Sequence, residues 1–275
     1  MPESESSASA AATLDLAALR DGAHRCALHD GRRAFVKVRR DAAPDFFAAE
    51  ARGLRELSAA RTLRVPEVIA LAADAIVLED LGTGRAGASD WEHAGHRLAE
   101  LHSTIGEHFG FHSDGFCGDS AQDNTTDADG YRFFAERRLL PQLRRAHDAG
   151  LLDGSDGARA ERLCAQLSEH LPVRPPVLIH GDLWLGNLHA CANGELALID
   201  GGAVHFGWAD ADLAMLILFG APPPAFFAAY ESARGTGSEW RSYAPLLNLY
   251  HLLNHLNLFG AGYAGAVRKV LARYA

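Results

Sequence analysis

The chain has 275 residues, 48% hydrophobic and 22% charged, which is the composition of an ordinary soluble globule large enough for one big domain or two lobes. A net charge of −9 argues against a phosphate-tracking nucleic-acid surface, and no apolar run reaches the length that spans a bilayer. Cys26, Cys117, Cys164 and Cys191 show no C-x-x-C spacing, which argues against a zinc site or a disulfide framework and for a reducing cytoplasm.

Residues 1–12 are Ser, Ala and Glu without a basic segment, and they read as a disordered tail rather than a secretory signal. Residues 13–82 alternate short strands with one helix. Ala34 to Val38 is a strand after the Asp30-Gly31 turn, and Lys37 is its single charge. In isolation such a lysine is an edge residue reaching solvent. The following helix, 44–60, changes that reading. Phe46, Phe47, Leu54 and Leu57 form its apolar face, and Glu50 falls in the middle of that face. A carboxylate there needs a cationic partner, and Lys37 is the nearest candidate. A strand lysine paired to a helix glutamate positions ATP phosphates in kinase-like folds. Strands over Val68 to Leu71 and Ala75 to Leu78 lead into Glu79-Asp80-Leu81-Gly82, a crossover whose backbone suits adenine. The Gly, Ala and Ser of 82–89 mark the boundary with a second lobe, 83–275.

That second part is mainly helical. Ser89 and Glu92 form a capping box for a helix through Leu101, and His102 reads as a satisfied core or cap histidine. Residues 106–129 have no periodicity and form a long loop. A helix over 130–149 is bent or split at Pro141, and another covers 158–169. Helices follow within 208–219 and over 225–233, 239–258 and 265–274. Asp212, mid-helix among apolar residues, is expected to accept backbone amides of the loop at 180–183. His251 and His255 repeat at i, i+4, a spacing that could bind a metal, but without a His-Glu-x-x-His pattern they read rather as packing and hydrogen-bonding residues.

Between these helices lies the stretch 177–200. Asn193-Gly194 separates two mostly apolar runs, the signal for a two-residue hairpin turn. Counting outward from it sets Leu188 opposite Ile199 and Asn187 opposite Asp200, so an amide oxygen and a carboxylate can share a hard cation such as Mg²⁺. Asp182 precedes Asn187 by five residues and can accept a proton from a substrate hydroxyl. His180, Asp182, Asn187 and Asp200 thus follow the spacing that phosphoryl transfer uses. Spacing alone leaves open a surface hairpin with an Asx turn and capping residues.

The chain resembles the fructosamine kinase (ketosamine 3-kinase) family, a branch of the protein-kinase-like fold close to aminoglycoside and choline kinases. The matching segments run in order from Phe35-Val-Lys-Val38 and Ala49 to Leu54, through Leu78 to Leu81, Phe109 to Phe111, Asp114 to Asp119 and Glu136 to Gln142, to His180-Gly-Asp-Leu-Trp184, Gly186-Asn187 and Ala211 to Met215. The resemblance implies an α+β, two-lobe fold: a small antiparallel sheet with one helix, then a larger helical part. It makes Asp182 the catalytic base, Asn187 and Asp200 the Mg²⁺ ligands, and Lys37, held by Glu50, the phosphate contact. Glu79 and Leu81 would border the nucleotide, and Trp184 with His180 the sugar. It further implies ATP as cofactor, a glycated small amine or glycated protein as acceptor, phosphorylation of its 3-hydroxyl, and a monomer acting in deglycation. An aminoglycoside or other small alcohol as acceptor, and an inactive nucleotide-binding regulator, are the alternatives. Two departures stand out. Asp21 to Cys26 carries one glycine where the family's nucleotide loop has several, and Gly201 to Trp208 replaces a Pro-Ala-Val-Tyr-Tyr-Gly-His pattern.

Overall fold

The computed structural model describes residues 15–275, so the tail expected over residues 1–12 lies outside the described residues. Gly22–Ala27 (β1), Arg33–Val38 (β2), Val68–Ala72 (β3) and Ala75–Glu79 (β4) form an antiparallel sheet in the order β1-β2-β4-β3. Alternation along β2 buries Ala34, Val36 and Val38 on one face with Leu28, Ile69 and Val77. Phe35 and Lys37 therefore point to the other face, toward the rest of the protein. Helix α1, Phe46–Ala59, buries Phe47, Leu54 and Leu57 together with Glu50, as its apolar stripe requires.

The segment expected as a glycine-poor nucleotide loop is instead strand β1, in continuous register with β2 from Gly22↔Val38 to Ala27↔Arg33. The free backbone groups on that side of β2 take Gly22–Ala27 as an edge strand. The turn between the two strands is closed by Gly31 N–H donating to Leu28 C=O at 3.0 Å.

Helix α2, Ala88–Leu101, starts ahead of Ser89, which removes the expected Ser89–Glu92 capping box. Asp90 caps it instead, accepting Gly87 N–H at 2.8 Å. Residues 106–129 are no open loop. Gly115–Cys117 (β5) and Ser120–Gln122 (β6) form a hairpin in it, with strands too short to show a period. Buried Arg138 holds the segment from below, donating to Asp123 C=O at 2.5 Å and Asn124 Oδ1 at 2.6 Å. Arg138 lies in a π-helical turn, Phe134–Leu139, between α3, Gly130–Phe133, and α4, Leu140–Asp148. Pro141 cannot donate to the preceding turn, and the helix widens just before it. After α5, Gly154–Ala165, and α6, Leu167–His170, the chain enters β7, Val177–Ile179, which pairs with His205–Gly207 (β10). Helices Ala209–Leu216 (α7), Pro224–Arg234 (α8), Trp240–Leu247 (α9), Leu249–Phe259 (α10) and Ala264–Tyr274 (α11) complete the fold.

The central hairpin differs from the expected one by a single residue. Leu188–Ala190 (β8) pairs with Leu196–Leu198 (β9) as Leu188↔Leu198, His189↔Ala197 and Ala190↔Leu196. Only Gly194 takes positive φ; Asn193 does not. Cys191 C=O accepts Gly194 N–H at 2.9 Å and Cys191 N–H donates to Glu195 C=O at 2.8 Å, which makes a three-residue turn with a glycine bulge. Asn187 consequently stands beside Ile199, whose N–H reaches the Asn187 carbonyl at 3.2 Å, and not opposite Asp200.

Candidate active site

Asn187 and Asp200 nevertheless border one cavity, because local backbone turns replace the direct pairing. Asn187 closes a 3-10 turn, Leu185–Asn187, and Asp200 follows β9 in the left-handed conformation at φ 62. The Asn187 Nδ2 donates to the Asp182 carbonyl at 2.8 Å, which leaves the amide oxygen facing away as an acceptor. Asp182, Trp184, Asn187 and Asp200, with Lys37 and Glu50, all line this cavity of about 260 Å³. An amide oxygen and a carboxylate on its wall are suitable ligands for a hard divalent cation.

Lys37 Nζ donates to Glu50 Oε1 at 2.7 Å and also to Asp200. Glu50 is buried, so this lysine is the cation that makes its burial tolerable. The lysine thereby ties the sheet, α1 and the end of the hairpin to one point.

On the sheet side of Lys37 is a narrow slot of about 80 Å³, with Phe35 and Leu78 on one wall and His189 and Ile199 on the other. Glu79 and Leu81 border it where the chain crosses out of the sheet. The Leu81 N–H has no acceptor among the described residues, while its carbonyl takes Ala192 N–H at 3.0 Å. The Glu79 carboxylate binds Arg64, so the backbone here, not that side chain, is available to a planar base. Asp80 stiffens the crossing. Burial raises its carboxyl, but the Gly82 amide, Arg25 and Arg33 outweigh this and hold it below the ordinary carboxylate range.

The Asp182 loop is held from behind. Asp212 accepts His180 N–H at 2.8 Å and Gly181 N–H at 2.9 Å, the partners expected from the sequence. His102, fully buried, touches Asp212 with Nε2 at 3.3 Å and Tyr230 OH with Nδ1 at 2.8 Å. His180, expected to border the sugar, does not line the 260 Å³ cavity. It is fully buried, and its Nε2 binds Ile199 C=O at 2.7 Å, tying the Asp182 loop to the residue before Asp200. Trp184 is 43% exposed and lies between the 260 Å³ cavity and a second one of about 300 Å³ lined by Phe219, His255, Phe259 and Tyr263. His255 packs against Phe219 with ring centroids 4.7 Å apart and ring planes tilted by 43°. Two neighbours of this site, Ile199 and His189 under the slot, carry no local sequence signal; a third, His251, whose Nδ1 is 3.7 Å from Asp182 Oδ1, shows in the sequence only as half of an i, i+4 histidine pair.

Against known proteins, a family model described as fructosamine kinase matches residues 16–275. A probable ketoamine kinase of Synechocystis sp. is 35% identical over 251 residues, covering 90% of this chain and 84% of the relative. A crystal structure described as a candidate fructosamine-3-kinase of Thermobifida fusca superposes with a TM-score of 0.85 at 36% identity, covering 92% of this chain and 91% of that one. An ADP-bound aminoglycoside phosphotransferase, 15% identical, superposes with a TM-score of 0.61 over 92% of this chain and 90% of that one, and shares the kinase-like α+β fold.

Proposed function

This chain belongs to the fructosamine kinase family, and we propose on that premise that it transfers the terminal phosphoryl group of ATP to the 3-hydroxyl of a ketosamine. Its activity class is that of the family, an ATP-dependent phosphotransferase with an alcohol acceptor. In this reading the adenine enters the slot between Leu78 and Ile199 with its edge toward the Leu81 amide. Lys37, braced by Glu50, contacts the phosphates. Asn187 Oδ1 and the Asp200 carboxylate would hold Mg²⁺, which would supply positive charge beside the terminal phosphates. Asp182 aligns the acceptor hydroxyl and takes its proton, so positioning and charge stabilisation supply most of the acceleration.

The observation that carries this reading is the convergence of Lys37, Glu50, Asp182, Trp184, Asn187 and Asp200 on one cavity from separate segments. Trp184 offers a flat surface to the apolar side of a sugar. Glycated small amines and glycated protein side chains are the proposed acceptors. The phosphoester formed decomposes and releases the amine, which makes the reaction a deglycation. Four unpaired thiols suit a cytoplasmic setting.

The test is ADP release from ATP and Mg²⁺ with a deoxymorpholino-fructose as acceptor, followed by NMR location of the phosphate. Acceptor-dependent turnover with phosphate on O3 is expected. Turnover with an aminoglycoside but none with the ketosamine would overturn the proposed acceptor.

A further inference from the structure

Two buried groups beside the proposed base take no part in phosphoryl transfer. Cys117 ends β5 and His251 lies in α10, both within the core. His251 Nδ1 is 3.7 Å from Asp182 Oδ1 and 3.9 Å from Cys117 Sγ, and one ligand atom from each of the three residues falls within 4.8 Å of the others. The nitrogen–oxygen separation is too long for a hydrogen bond, so no relay between His251 and Asp182 accounts for the grouping. A tetrahedral zinc ion with bonds of about 2.0–2.3 Å sets its nitrogen, oxygen and sulfur ligands roughly 3.3–3.7 Å apart. The separations from His251 are slightly wider than that, and a small inward movement of side chains closes them.

From this geometry we propose that Cys117, Asp182 and His251 form an inhibitory site for zinc, separate from Asn187 and Asp200. The inhibition rests on the reading of Asp182 as base, because a carboxylate engaged by zinc cannot accept the proton of an acceptor hydroxyl. The binding itself does not rest on it.

The surroundings favour a soft ion. Thiolate and imidazole donors select zinc over Mg²⁺, which prefers an all-oxygen octahedron. Burial holds His251 down at about 4, so the ring is neutral and its nitrogen lone pair is available. Burial and the nearby Asp182 charge push the Cys117 thiol well up, so binding must displace its proton into solvent. Asn254 Nδ2 already donates toward Cys117 Sγ at 3.4 Å, a contact that suits the thiolate left behind. Cys117 and Asp182 also border the 300 Å³ cavity, which offers an entry path and room for a water as fourth ligand.

The experiment titrates the full chain with zinc chloride against a chromogenic chelator, in excess Mg²⁺, and records the zinc X-ray absorption spectrum. One zinc per chain with a single sulfur neighbour is expected. Cys117→Ser and His251→Gln should each weaken binding at least about tenfold, the loss that even removal of an outer-shell partner produces. Cys26→Ser should leave it unchanged. Circular dichroism and melting temperature establish that the variants remain folded. Unchanged affinity in both Cys117→Ser and His251→Gln, or a spectrum without sulfur, overturns the site. Because binding is read without acceptor, zinc held by these residues in a chain inactive toward ketosamines upholds the site and overturns the proposed acceptor instead.

Discussion

Gly53 of α1 and Gly201, the residue after Asp200, meet main chain to main chain: a Cβ on Gly53 would overlap the Gly201 carbonyl, and one on Gly201 would crowd the Leu54 amide. This contact sets how far Glu50 stands from Asp200, the two acids that share Lys37. Gly53→Ala tests it. Alanine gains about 1 kcal/mol of helix propensity, but the atom it meets belongs to backbone that cannot swing aside, and overpacking costs about 1–3 kcal/mol. The steric term wins, so α1 moves outward. A lower melting temperature and a loss in kcat/KM for ATP on the order of tenfold or more are expected. A variant that matches the parent in both measurements shows that the contact does not constrain the site.

In the proposed mechanism, Asp182 is the residue on which turnover depends most. Asp182→Asn keeps its size and the contacts of the loop backbone with Asp212, while removing the proton acceptor. Turnover should fall by about 10²–10⁴-fold, with nucleotide affinity, measured by calorimetry, retained. Parent-like turnover would transfer the role to another group.

The sequence made the central residues readable because each broke a local rule. Lys37 and Glu50 are charges on apolar faces, and a mutual ion pair is the economical resolution. Asp212 is a carboxylate inside an apolar helix, which needs backbone donors. The hairpin register came out one residue wrong because Asn-Gly permits two turns, and only the backbone shows that Gly194 alone takes positive φ. The pocket survived the slip because Asn187 and Asp200 lie at the ends of the strands, where turns rather than pairing aim them. The β5–β6 hairpin was hidden since three-residue strands carry no period. Contacts across long separations, such as Cys117 with His251 or Gly53 with Gly201, leave no spacing to read.

Acid should weaken the fold through buried histidines. An unfolded histidine takes up its proton near about 6.5. In the folded chain burial, with Arg138 nearby, holds His205 down at about 3, and burial holds His251 at about 4. Between those values and 6.5 the unfolded chain binds more protons, so stability rises with pH and falls on acidification. The slope is up to about 1.4 kcal/mol per pH unit for each histidine. His205 Nδ1 donates to Ala203 C=O at 2.8 Å, a bond the amide of His205→Asn can retain. Urea unfolding between pH 7 and 5 should show a shallower pH dependence for that variant. An unaltered slope would assign the acid sensitivity to other groups.

Trp184 owes its position to Gly186. A Cβ on Gly186 would overlap the six-membered ring of Trp184, so the indole lies directly over this glycine. The φ of Gly186 is not in the left-handed region, so alanine fits the backbone and only the ring must move. Unlike the main chain at Gly201, a 43% exposed side chain can move without disturbing the core. Gly186→Ala should therefore keep its melting temperature while the indole, the proposed acceptor platform, tilts. An aromatic contact is worth about 0.5–1.5 kcal/mol, which corresponds to a rise in acceptor KM of about two- to tenfold, with the KM for ATP unchanged. Trp184→Ala should move acceptor KM in the same direction. A raised KM for ATP with acceptor KM unaltered, in steady-state assays of either variant, would place the indole on the nucleotide and not on the sugar.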